Sequence, residues 1–232
     1  MRSRLAPARR RGVEILDDPR TPNDVRERAS ADIARSNALF GGTRSVLGAL
    51  RPVLSQLPRH AVLLDVGTGL GDIPARAERV ARRAGVKLET FGVDFAEALA
   101  RRARACVSGA AVASALTLPF ADNSADVVVC SQLLHHFEER QATALIGELN
   151  RVARGWVIVS DLRRSWLAAA GFWLASVVFG FHRVTRHDGV TSVLRGFTAD
   201  ELRSLISTTV GTKPQVNHSL FWRLNAAWKK AL

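Results

Sequence analysis

Three glycines, Gly67, Gly69 and Gly71, stand between two aspartates, Asp65 and Asp72, in the segment VLLDVGTGLGDIP. Glycine lets a backbone approach a ligand closely and take positive φ without a Cβ clash, so such a turn after an apolar strand is a place for binding. A pyrophosphate site calls for G-x-G-x-x-G, and here the spacing is G-x-G-x-G. Asp65, directly ahead of the turn, would repel a pyrophosphate, whereas it can accept from an ammonium or a hydroxyl. Downstream, Asp94 closes the segment KLETFGVD, where a carboxylate can accept from both hydroxyls of a ribose. These residues together call for a nucleoside ligand that carries an ammonium group.

A second set of residues could move protons. His135 and His136 follow the run SADVVVCSQ, at the edge where a co-substrate would sit; they serve either proton transfer or capping of the strand. Further on, SDLRRS and RVTRHDGVTSVLRGF bring Asp161, Arg163, His187, Asp188 and Arg195 to the two ends of one apolar stretch. His187 beside Asp188 is a titratable pair, because a carboxylate favours the charged imidazole. Arg163 and Arg195 could orient an acidic group of a substrate, or these charges could be salt bridges that pin the segment.

The elements that must position these groups alternate. AVLLDV, KLETFGVD, AAVASA, SADVVVCSQ and GWVIVSD read as five strands, and DIPARAERVARRAG, AEALARRARACV and ERQATALIGELNRVAR as the helices between them. That rhythm predicts an α/β, Rossmann-like, doubly wound and mostly parallel seven-stranded sheet covered on both faces. The rhythm breaks over residues 162–197 and resumes at TADELRSLISTT, where Thr198 and Glu201 form a capping box. The expected organisation is a flexible basic arm over residues 1–20, helices over 21–58 that cover the pocket, and a main domain over 59–232 with a helical lid insertion at 162–197.

Composition narrows the classes. The net charge is +12, which invites a polyanionic partner, but lysine stands only at Lys87, Lys213, Lys229 and Lys230. Arginine and alanine are abundant throughout, so the charge reads as a residue bias rather than as a nucleic-acid face. Cys106 and Cys130 form no disulfide framework and no CxxC pair, and no cluster has metal-ligand spacing, so no metal is expected. MRSRLAPARRRG lacks the apolar region of a secretory signal, which places the protein in the cytoplasm. The uncharged run WLAAAGFWLASVVFGF, residues 166–181, is shorter than the roughly 20 residues that span a bilayer, and reads as an apolar lid or a peripheral membrane contact.

Four segments in order, LLDVGTGLGDIP, GVDFA, LTLPFADNSADVVVCSQLLHHF and LNRVARGWVIVSD, resemble the successive motifs of class I S-adenosylmethionine-dependent methyltransferases, of the small-molecule type related to quinone and polyketide methyltransferases. The resemblance covers about residues 60 to 161. It implies that Asp65, Gly67, Thr68 and Gly69 cradle the methionine part of the cofactor, that Asp94 holds the ribose and that Phe95 lies against adenine, with Ser131 also at the cofactor. Ser114 stands where family members often carry an aspartate for the adenine amino group, so adenine contacts fall to backbone and apolar groups around Ala115. The expected reaction is methyl transfer to a small hydrophobic or aromatic acceptor such as a phenol, quinone or polyketide, most simply at oxygen. His135, His136 and His187 are then the candidates for proton transfer, and Arg163, Asp188 and Arg195 for acceptor binding. Three other readings compete: an RNA-directed methyltransferase, a module that binds the cofactor without turnover, and a nicotinamide oxidoreductase. The last is disfavoured by the glycine spacing and by a chain without tyrosine.

Overall fold

A computed structural model of the protein describes residues 6–10, 12–18 and 20–231. Two helices, α1 (Asn23–Leu39) and α2 (Gly42–Leu54), precede the alternating core. The core runs β1 (His60–Val66), α3 (Asp72–Arg83), β2 (Lys87–Asp94), α4 (Glu97–Ala103), β3 (Gly109–Val112), β4 (Ala125–Ser131), α5 (Glu139–Val152) and β5 (Ala153–Leu162). The lid follows as α6 (Trp166–Val178) and α7 (Arg183–Arg195), then α8 (Ala199–Val210), β6 (Gln215–Ser219) and β7 (Arg223–Lys229). The capping box that opens α8 is formed: Glu201 N–H donates to Thr198 Oγ1, and Thr198 N–H to the Glu201 carboxylate.

The seven strands expected from the alternation form one sheet, in the order β3-β2-β1-β4-β5-β7-β6. The first five are parallel, while β7 runs antiparallel to β5 and β6 antiparallel to β7. The chain winds from β1 outward through β2 and β3, then returns to the other side of β1 for β4 and β5. That reversal opens a crevice beyond the carboxyl ends of β1 and β4, where ligands of open α/β sheets bind.

Each face of the sheet has its own core. On one, Leu145, Ile146 and Leu149 of α5 meet Leu202 and Ile206 of α8 and Trp228 of β7. On the other, Val46, Leu50, Val53 and Leu54 of α2 join Ala77 and Ala81 of α3 against Leu63, Val127, Val129 and Ile158. Burying side chains such as Leu50 contributes about 2 kcal/mol each. The helix α2 is thus part of the layer that covers the sheet, and its N-terminus meets the crevice. Among the described residues, no helix is long and apolar enough to cross a membrane.

The arm expected to be flexible is tied down where it is described. Asp188 of α7 accepts from the backbone N–H groups of Ile15 (2.8 Å) and Leu16 (3.0 Å), and Arg195 pairs with Glu14 at 3.0 Å. Arg164, buried in the lid, donates to the carbonyl of Pro7 at 2.7 Å. Of that arm, residues 1–5, 11 and 19 lie outside the described residues.

Candidate functional site

The strand β1 delivers Asp65 into the crevice, and the glycine turn begins one residue later. Gly67, Gly69 and Gly71 have φ of 75°, 55° and 76°, a region that side chains disfavour. The turn is anchored because the N–H groups of Gly67 and Thr68 both donate to the Val93 carbonyl, at 2.8 and 2.9 Å. Gly92 makes room for this: a Cβ there would sit 2.7 Å from Thr68 Cγ2. At Gly69, by contrast, a Cβ would meet nothing within 4 Å, so the backbone faces open space on the ligand side.

Polar groups without partners surround the turn. Both Asp65 carboxylate oxygens, Thr68 Oγ1 and Ser131 Oγ are buried and accept or donate no hydrogen bond. An unsatisfied buried polar group costs about 1–3 kcal/mol, so four such atoms in one crevice mark a place where a ligand completes them. Burial pushes the Asp65 carboxyl up to about 7; the Thr68 hydroxyl eases this, and the charges of Asp72 and Asp94 add to it. Asp72 itself accepts from Thr43 of α2 at 3.0 Å. Asp94 is held in place by two backbone donors, Gly69 N–H to Oδ2 and Ala96 N–H to Oδ1, both at 2.9 Å. Each oxygen keeps a lone pair for a hydroxyl. Phe95, next along, is 83% exposed and offers its ring to a flat partner. The Ser114 hydroxyl accepts from Leu116 N–H at 3.2 Å, and Ala115 is half-buried beside it. An ammonium for Asp65, vicinal hydroxyls for Asp94 and an aromatic plane for Phe95 fit the donor set of S-adenosylmethionine.

Beyond β4 the backbone passes through Gln132 at φ 54° and enters a 3-10 turn, Leu134–His136. His135 is buried and its Nδ1 lies 2.6 Å from Asp161 Oδ1; its backbone N–H donates to Asp161 Oδ2 at 3.1 Å. Burial alone would raise the Asp161 carboxyl, but His135 and the Leu162 N–H hold it below the usual carboxylate range. An ionised Asp161 accepts from Nδ1 of His135 and so leaves Nε2 as the ring's acceptor. The ring of His136 lies against that of His135, centroids 4.2 Å apart.

Arg223 was not singled out by sequence and is the least expected group here. It is 3% exposed, its Nη1 has no hydrogen-bond partner, and burial lowers its guanidinium to about 10 while Asp161 pulls the other way. A Cβ on Gly42 would lie 3.0 Å from Gln132 Nε2 and 3.5 Å from Arg223 Nη2, so the amide and the guanidinium converge at the start of α2. Arg223 Nε donates to the Phe40 carbonyl at 3.5 Å, and the Phe40 ring belongs to one cluster with Phe172, Phe179, Phe181 and Phe221 at centroid distances of 6.0–6.5 Å.

The remaining candidates serve elsewhere. Asp188 is engaged by the backbone of Ile15 and Leu16 as well as by His187 (2.9 Å), and Arg195 by Glu14 and the Gly12 carbonyl. Arg163 meets His218 at 3.2 Å, and His187 lines a cavity on the outer side of the lid. These charges pin the lid, and Arg195 also reaches the His135–His136 turn through Glu14, which lies 3.7 Å from His136 Nδ1. One group of potential metal ligands occurs among the described residues, Glu14, His135 and His136, although sequence spacing shows none. The Glu14 carboxylate there is already balanced by Arg195 and bonded to Ser192 Oγ at 2.6 Å.

Residues 64–159 match the family model described as a methyltransferase domain. No curated protein matches the chain. Among solved structures, a methyltransferase from Thermotoga maritima, described as a possible histamine N-methyltransferase, superposes with TM-score 0.62 at 16% identity, over 90% of this chain and 99% of that one. Magnesium protoporphyrin IX methyltransferase from Synechocystis PCC 6803, with bound S-adenosylmethionine, gives 0.54 at 15% identity, over 94% and 88%. The methylating domain of the citrinin polyketide synthase gives 0.57 at 13% identity, over 78% and 50%. These likenesses carry the fold, and the match over β1 to β5 carries the domain: residues 64–159 form a methyltransferase domain, whose cofactor is S-adenosylmethionine.

Proposed function

We propose that the protein methylates an acidic hydroxyl of a small, largely apolar aromatic acceptor. The observation that carries this reading is Arg223, a buried guanidinium whose Nη1 has no partner, set near Asp161 of the His135–Asp161 pair and bonded to the carbonyl of Phe40, whose ring belongs to the phenylalanine cluster. Bound S-adenosylmethionine supplies the electrophilic methyl group. Asp65, Thr68 and Asp94 hold and orient it, and the rings exclude water. Arg223 stabilises the negative charge of the acceptor oxygen, since a cation in a dry site lowers the pKa of a neighbouring phenol. His135, aligned by Asp161, takes the phenolic proton. An amine acceptor would meet an unfavourable neighbour in Arg223. The names of two structural neighbours, a porphyrin methyltransferase and a polyketide synthase domain, also speak for small-molecule acceptors.

The test is transfer of a labelled methyl group to 1-naphthol and 5-pentylresorcinol, with histamine and bulk RNA as contrasts. Label is expected in the ethers of the two phenols. In Arg223→Gln, kcat/KM for the phenols should fall by about tenfold to a hundredfold, from the loss of one charge-assisted hydrogen bond, with cofactor affinity kept within about twofold. Label only in histamine or RNA would refute the reading.

A further inference from the structure

We propose that the lid seats the protein on an anionic lipid bilayer, with α6 lying in the plane of the headgroups. Helix α6, WLAAAGFWLASVV, contains no charged residue, and on it only Ala168, Ala169 and Ser176 are buried. The large side chains point outward: Trp166 is 48% exposed, Leu167 58%, Trp173 52%, Leu174 59%, Val177 43% and Val178 72%. Their spacing, 166, 173, 177 and 167, 174, 178, is that of one stripe along a helix. A helix on a water-facing surface puts polar residues on that side, whereas here the outer side is as apolar as the inner.

The rim of the stripe is cationic. A cavity of about 470 Å³ opens beside Trp173, lined by Arg10, Arg183, Arg186 and His187 with no acidic residue among its walls. The buried Asp188 carboxylate accepts from Ile15 and Leu16 and pairs with His187 Nδ1 at 2.9 Å, so the cationic side chains of the cavity are Arg10, Arg183 and Arg186. Arg10 lies over the Trp166 ring at 5.2 Å, and Arg35 over Phe181 at 5.5 Å. Tryptophans at the edge of an apolar stripe, flanked by arginines, match the boundary between acyl chains and phosphate headgroups. At 13 residues the helix is too short to span a bilayer, so it lies along the surface. A second copy of this chain is the weaker occupant: it would bring two cationic rims together in a molecule of net charge +12. The inner side of the same helix carries Phe172 of the aromatic cluster, so docking would place the lid between lipid and site.

Co-sedimentation of the full chain with vesicles tests this. Phosphatidylcholine vesicles with about 30 mol% phosphatidylglycerol should bind at least about tenfold more protein than pure phosphatidylcholine, and binding should fall as salt rises. The double variant Leu174→Gln/Val178→Gln, on two exposed positions away from the cofactor, should lose about tenfold in vesicle binding with unchanged affinity for S-adenosylhomocysteine. Three results would overturn the proposal. These are equal binding to both vesicle types, no binding to either, or a lipid-free dimer of the wild type that the double variant renders monomeric.

Discussion

Cofactor affinity should follow the ionisation of Asp65. In the free protein, burial together with the charges of Asp72 and Asp94 moves this carboxyl from 3.8 to about 7. That is roughly three pKa units, or about 4 kcal/mol between its two states. An ammonium group set against it favours the carboxylate, so binding below pH 7 must release a proton. The ligand has its own requirement, since an α-amino group titrates near about 7.8. At pH 6 about a tenth of Asp65 is ionised, and at pH 7.5 about three-quarters is, while the ammonium fraction falls only from near one to about two-thirds. The product rises about sixfold, and it falls again above about pH 7.5. Calorimetry with S-adenosylhomocysteine at the two pH values, in buffers of different ionisation enthalpy, reads both the affinity and the released proton, about 0.9 per site at pH 6. In Asp65→Asn the acid limb should vanish and the affinity at pH 7.5 should drop by about tenfold or more. The sign for the free protein is opposite: a carboxyl raised in the folded state removes stability as pH rises from about 4 to about 7. Asp65→Asn should therefore stabilise the unliganded protein at pH 8, by at most about 4 kcal/mol, and not at pH 4. A wild-type affinity flat from pH 6 to 7.5 with no proton release would refute the reasoning.

Two further perturbations separate structure from binding. Gly71→Ala forces a left-handed alanine whose Cβ would lie 3.3 Å from the Ala103 carbonyl oxygen, and should cost about 2 kcal/mol in urea unfolding. Gly69→Ala has open space, so strain alone should cost about 1 kcal/mol, and its larger effect should be on cofactor affinity because the methyl enters the cradle. A Gly69→Ala protein that binds S-adenosylhomocysteine as the wild type does would remove that backbone from the site. Asp188→Asn takes the charge from a buried acceptor of two backbone N–H groups and should open residues 12–18 to limited proteolysis at least about fivefold faster, with cofactor affinity unchanged. Unchanged proteolysis would show that the N-terminal segment is held by other contacts.

What could be read from the sequence was chemistry contained within one turn. The spacing of Gly67, Gly69 and Gly71, the aspartates at the ends of β1 and β2, and the Thr198–Glu201 box depend on residues a few positions apart, and the fold keeps them as neighbours. Local reading misled where adjacency suggested a partner that the fold assigns elsewhere. His187 and Asp188 do touch, yet the carboxylate is engaged by Ile15 and Leu16 from the far end of the chain. Asp161 and His135 were both legible as ionisable groups near the crevice, but their 2.6 Å pairing depends on β4 and β5 lying side by side. Arg223 left no local signal, because its place follows from an antiparallel pairing that sets it opposite Leu162. Strand register thus creates the His135–Asp161 pair and the place of Arg223, while the Asp188 contacts come from the N-terminal segment folding back on α7. The cofactor can be recognised by residues on a single turn, whereas the acceptor site proposed above draws on β4, β5, β7, the start of α2 and the lid at once. The groups of that proposed site accordingly lie scattered over positions 40 to 223, and only the folded sheet brings them together.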